Sequence, residues 1–114
     1  MTRHRLEDRR GQELRDVTLV FGRASFAVAL GIGRHADGRL AEVFVSGLRP
    51  NDALEHQLRD AAILVSIALQ HGVPLAEMVE AVTRDDAPGL DAGSRAATPT
   101  GALLDALATI EAGR

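Results

Sequence analysis

"LRDAAILVSIALQHGVP", residues 58–74, is the most apolar run in the chain. It is too long and too strongly patterned to be a loop. At 100° per residue, Leu54, Leu58, Ala61, Ala62, Val65, Ala68 and Leu69 share one broad arc. Glu55, Arg59, Ser66 and Gln70 fall opposite. This spacing predicts an amphipathic helix from about Ala53 to His71. Pro50 stops the preceding segment, and Asn51 or Asp52 suits the N-cap. Gly72 stands where a C′ glycine belongs, and Pro74 follows it. Ile63 and Ile67 intrude on the polar side, which a simple surface helix would not carry. The helix is therefore expected to be contacted on two sides. One contact is the sheet; the other is the last helix or a second subunit. Ile63, Ile67, Arg59, Ser66 and Gln70 are the interface candidates.

Upstream of this helix the pattern changes to period two. Val17, Leu19 and Phe21 alternate with Thr18 and Val20, and Gly22-Arg23 makes a turn. Ser25 to Arg34 continues extended. Phe26, Val28, Leu30 and Ile32 mark one face, and Ala27, Ala29, Gly31 and Gly33 the other. A face so bare of side chains admits close approach by a helix or another backbone. Asp37-Gly38 is the strongest hairpin signal in the chain. "LAEVFVSG", residues 40–47, reads as a third strand whose buried face the alternation leaves open.

Downstream, "PLAEMVEAVT" predicts a second helix with Pro74 in its first turn and Leu75, Met78, Val79 and Val82 inward. Residues 84–99 read as a loop of small and acidic residues. "TGALLDALATIEAG" predicts a closing helix with Leu103, Leu104, Leu107 and Ile110 in register, capped by Thr98 or Thr100. Strands come first and helices after. The expected fold is α+β: a three-stranded antiparallel meander with three helices packed on one face. Residues 1–13, with Arg3, Arg5, Arg9 and Arg10 diluted by Glu7, Asp8 and Glu13, are expected to form a mobile arm. Residues 14–112 are expected to form one domain. The sequence offers no protection to the edge strands, which an oligomer would cover.

Composition narrows the chemistry. The 114 residues carry a net charge of −3, which gives no reason to expect nucleic-acid or anionic-membrane binding. All thirteen basic residues are Arg, which excludes lysine Schiff-base chemistry and a P-loop lysine. There is no Cys, hence no thiol nucleophile, disulfide or thiolate metal site. His4, His35, His56 and His71 do not pair at metal-ligand spacing, so no metal is expected. His71 suits a helix C-terminus. Glu77 with Glu80 reads as a solvated face, and Asp85, Asp86 and Asp91 as loop acids. Arg59-Asp60 and Arg84-Asp85-Asp86 read as structural ion pairs or capping contacts. "GIGRHADG" sits in a strand and hairpin turn, so it lacks the helix N-terminus that a dinucleotide fingerprint requires. No residue set supports catalysis, and no cofactor is expected. The N-terminus has no apolar signal core and no run approaches a membrane span; a soluble, cytoplasmic protein is expected.

Three stretches occur in order: "GRHADGRLAEVFVSG", "LRDAAILVSIALQHGVPLAEMVEAVTR" and "ATPTGALLDAL". Together they resemble the TSCPD domain, over roughly residues 15–108. The "ADGRLAEVFV" hairpin and the "ALQHGVPL" helix end carry most of the resemblance. It implies an α+β domain found near the C-terminus of adenosylcobalamin-dependent ribonucleotide reductases and in small stand-alone proteins. A reductase of that kind needs a thiyl radical and reducing cysteines in a large barrel domain. This chain lacks the Cys-containing motif of the family, so a reductase label would be inherited from the larger enzyme. The expectation is a non-catalytic module that binds itself or a protein partner such as a ribonucleotide reductase subunit. The alternative is a small-ligand or nucleotide-binding domain. There Arg34, Arg39, Arg49 and Asn51, near the hairpin and the helix cap, would meet a phosphate.

Overall fold

The computed structural model describes residues 2–3, 12–47, 52–85 and 95–113. Its main sheet contains β1 (Glu13–Phe21), β2 (Ala24–Arg34) and β3 (Leu40–Ser46), antiparallel in the order β1-β2-β3. The two turns fall where the sequence places them. Gly22 and Gly38 take φ of 55° and 91°, the left-handed region that favours glycine. Register pairs Val17 with Val28, and Leu30 with Val45. A bulge lies between Gly33 and Arg34.

The helices are α1 (Ala53–Gln70), α2 (Leu75–Ala81) and α3 (Pro99–Gly113). Asp52 caps α1, its Oδ1 accepting from Leu54 N at 2.8 Å. His71 is the C-cap, and Gly72 follows at φ 87°. Thr98 Oγ1 accepts from Gly101 N at 3.0 Å at the start of α3, so Thr98 is the threonine that caps it. α2 is shorter than its sequence pattern. Leu75 is fully inside, while Met78, Val79 and Val82 pack at the margin of the core.

α1 lies over β3 and α3 over β1, with α1 alongside α3 and α2 against α3. Between sheet and helices sit Leu19, Leu30, Ile32, Leu58, Leu103 and Leu107, all at most 1% exposed. Each such side chain contributes about 1.5–3 kcal/mol of burial. The small-residue face of β2 takes no helix among the described residues. A Cβ placed on Gly31 would stand 3.4 Å from the Gln12 side chain and 3.6 Å from Phe44 Cβ. The buried face of β3, left open by its alternation, is set by Val43, 2% exposed against 41% for Phe44.

Four readings are corrected here. Ser66 and Gln70 do not face outward; both are buried against β3. The segment 84–99 is not loop throughout. Its ends form a short ladder, β4 (Arg84–Asp85) with β5 (Arg95–Ala96), and residues 86–94, with Asp86 and Asp91, lie outside the described residues. Arg84 reaches past its sequence neighbours. It grips Asp105 of α3 with two nitrogens at 2.6 and 2.8 Å, and these hydrogen bonds hold its pKa above the ordinary guanidinium value. Arg59 pairs with Glu55, one turn back on α1, at 2.5 Å. Residues 4–11 of the arm, His4 included, lie outside the described residues. Within the arm, Glu13 already belongs to β1, and Arg3 Nε donates to Gln70 Oε1 at 2.6 Å. No described helix is long and apolar enough to cross a membrane.

Candidate interaction surface

The surface follows from how α1 meets the sheet. β3 is an edge strand, so alternate residues turn their N–H and C=O away from β2. α1 closes this edge with side chains. Val43 N donates to Ser66 Oγ at 2.9 Å, and the Ser66 hydroxyl faces Val43 O at 3.3 Å. Gln70 Nε2 donates to Ala41 O at 3.0 Å, while its Oε1 accepts from Arg3. Buried backbone groups need partners, and an apolar helix face cannot supply them. This is why two polar residues, one turn apart, face inward.

That rotation of α1 decides what it leaves outside. Ile63 and Leu64 are 52% and 66% exposed, and Ile67 is half-buried beside them. Beyond the Ser66 contact, Ile63, Ala62 and Arg59 border a hollow with Val43, Phe44 and Val45. Its volume is about 340 Å³. Of the predicted interface residues, the structure brings Ile63 and Arg59 to this hollow and leaves Ile67 next to Ile63. It removes Ser66 and Gln70. Leu64 and Phe44 join the exposed apolar set, although the sequence reading assigned neither to it. For Leu64 a signal was available: its wheel position lies about 40° beyond Ala68, outside the predicted apolar arc.

The predicted phosphate residues are not assembled for an anion. Arg34 Nε donates to Glu13 Oε1 at 2.6 Å, and its Nη1 to Gly38 O at 2.9 Å. The hydrogen bond from Arg34, with a second from Arg15, holds the Glu13 carboxyl below its ordinary pKa. Arg39 lies against Asp37, Nε to Oδ2 at 2.7 Å. The Arg39 backbone N–H and guanidinium lower the Asp37 pKa. Each cation thus already carries a carboxylate. The N-terminus of α1, the other anion-favouring element, is occupied by the Asp52 carboxylate. Arg49 and Asn51 lie outside the described residues. The cleft nearest this group is lined by His35, Asp37, Arg39, Leu69, Gln70 and Gly72, at about 350 Å³. It offers one Arg already matched by one Asp. Among the described residues, no three His, Asp or Glu side chains gather as a metal site would require.

Comparison with known proteins adds to this geometry. The TSCPD domain model matches residues 6–110. The vitamin B12-dependent ribonucleotide reductase of Bradyrhizobium diazoefficiens is 45% identical over 56 residues, 49% of this chain and 4% of that protein. The vitamin B12-dependent ribonucleotide reductase of Agrobacterium fabrum is 35% identical over 80 residues, 68% of this chain and 6% of that protein. The chain thus spans only about a twentieth of the length of these relatives. No solved structure matches.

Proposed function

From the premise that the chain belongs to the TSCPD domain family, we propose that it is a non-catalytic docking module whose partner is a vitamin B12-dependent ribonucleotide reductase. The observation that carries this reading is the ridge of Ile63 and Leu64. Both stand exposed on a helix that already has a complete buried face. Exposed apolar groups that continue into a hollow are what a partner covers. The relatives supply the partner class, because the matching stretch is in them a small part of a reductase chain. The residues themselves argue against chemistry of their own. The chain has no Cys, and its Arg side chains at the hairpin are matched by carboxylates.

The test is binding of the immobilised chain to a purified B12-dependent ribonucleotide reductase from the same cell. Saturable binding is expected, weakened at least tenfold by Leu64→Asp and unchanged by Glu80→Ala on the exposed side of α2. Absence of binding at about 100 µM reductase overturns the partner assignment. Binding that ignores Leu64→Asp and Ile63→Asp overturns the surface.

A further inference from the structure

Among the described residues, the other edge of the sheet has no counterpart of Ser66 and Gln70. Val43 N turns away from β2 to reach Ser66, so Val43 and Ile32 form a non-hydrogen-bonded pair. Ile32 therefore exchanges its bonds with Glu13 of β1. By alternation along β1, Leu14, Asp16, Thr18 and Val20 turn their N–H and C=O outward. Among the described residues nothing meets them; β5 touches only the end, where Gly22 N donates to Ala96 O at 2.9 Å. The side chains of the same four residues are exposed, Leu14 at 79% and Val20 at 43%.

We propose that this edge pairs with β1 of a second copy, antiparallel about a two-fold axis at Val17, to give a continuous six-stranded sheet. Chemistry selects the register. Val17 is the middle residue of β1, so this register overlaps the whole strand. It sets exposed Leu14 opposite Val20 of the second copy, and Asp16 opposite Thr18. Every outward backbone group of the four then has a partner. Sliding by one hydrogen-bonding step in one direction opposes Asp16 to Asp16, which is unfavourable. Sliding in the other direction opposes Asp16 to Val20 and leaves Leu14 facing Gly22. Only the centred register joins apolar to apolar and keeps the two carboxylates from direct opposition. They remain diagonal neighbours, so the dimer is weakened by their repulsion and strengthened by salt. One strand pair is a small interface, and association is expected only at micromolar concentrations and above. The pairing involves a different surface from the α1 ridge and does not depend on the reductase reading.

Because the chain has no Cys, single cysteines report the register directly. Across the two-fold axis, the Cα atoms of the two position-17 residues would be about 4.5 Å apart, within disulfide range. The two position-14 residues would be about 20 Å apart. Under mild oxidation, Val17→Cys is expected to form a covalent dimer and Leu14→Cys alone is not. A mixture of Leu14→Cys and Val20→Cys chains is expected to form the heterodimer. Sedimentation of the unmodified chain at about 100 µM is expected to show reversible dimer. Thr18→Arg, which places a cation opposite Asp16 of the second copy, is expected to tighten it roughly tenfold. A monomer at 100 µM overturns the proposal. So does cross-linking of Leu14→Cys alone as fast as Val17→Cys, or a dimer that Thr18→Arg leaves unchanged.

Discussion

The two edges of this sheet are treated differently. On β3 the outward carbonyl of Ala41 and both outward groups of Val43 are bonded by Gln70 and Ser66 of α1. On β1 the outward groups of Leu14, Asp16, Thr18 and Val20 meet no backbone partner among the described residues and lie beside exposed side chains. A strand edge can be closed by another strand, or by polar side chains from a helix that packs across it. The second solution constrains the helix. It must spend two positions of its buried face on polar groups, and its apolar remainder is pushed outward. In α1 that remainder is Ile63 and Leu64. The closed edge and the exposed ridge are therefore two results of one rotation of α1.

The difference between the edges can be broken most severely at its polar pair. Ser66→Ala with Gln70→Ala leaves buried groups of Ala41 and Val43 without partners. We expect a loss of about 2–5 kcal/mol, read by urea denaturation and not additive, because the two residues are one turn apart. Ser66→Ala alone is expected to cost about 1–3 kcal/mol. Thr18→Ala on the open edge is expected to stay within about 0.5 kcal/mol. Equal costs at the two edges would remove the distinction.

A smaller effect concerns the ion pair that ties the start of β1 to the end of β2. The Glu13 carboxyl is held below its ordinary pKa by Arg34 and Arg15. A carboxylate lowered on folding adds stability above its unfolded pKa and loses it as pH falls through the folded value. Thermal melts between pH 5 and pH 3 should therefore show a decline that Glu13→Gln partly removes. The group is a third exposed, so its share is about 1 kcal/mol or less. A decline of the same size in both proteins would assign the acid sensitivity elsewhere. Leu64→Glu is expected to change stability least, within about 0.5 kcal/mol in denaturant melts. A loss above about 2 kcal/mol would mean that Leu64 is covered within the chain.

Much of the fold was legible in the sequence because its signals are local. Alternation marked the strands, Asp37-Gly38 the hairpin, and Gly72 a helix end; each N-cap was narrowed to two residues, of which the structure uses Asp52 and Thr98. The α+β order of sheet then helices followed directly. The candidate surface was legible only in part, because polarity alone cannot tell a solvated residue from one bonded to a strand edge. Ser66 and Gln70 look outward on a helical wheel until β3 is known to need them. Arg84 likewise looks paired with its neighbours, whereas its partner Asp105 is 21 residues away. The β4–β5 ladder, two residues a side, is too short for any period to announce it. Arg34 and Arg39 look available to a phosphate because their carboxylates, Glu13 and Asp37, become neighbours only through strand pairing and the turn.

Amide hydrogen exchange, resolved by residue at low protein concentration, compares the two edges most directly. Val43 N–H, bonded to Ser66 Oγ, should exchange as slowly as the amides inside the sheet. Thr18 N–H, on the open edge, should exchange orders of magnitude faster, although both lie near the middle of their strands. Equal protection at Val43 and Thr18, or fast exchange at Val43, would contradict the account.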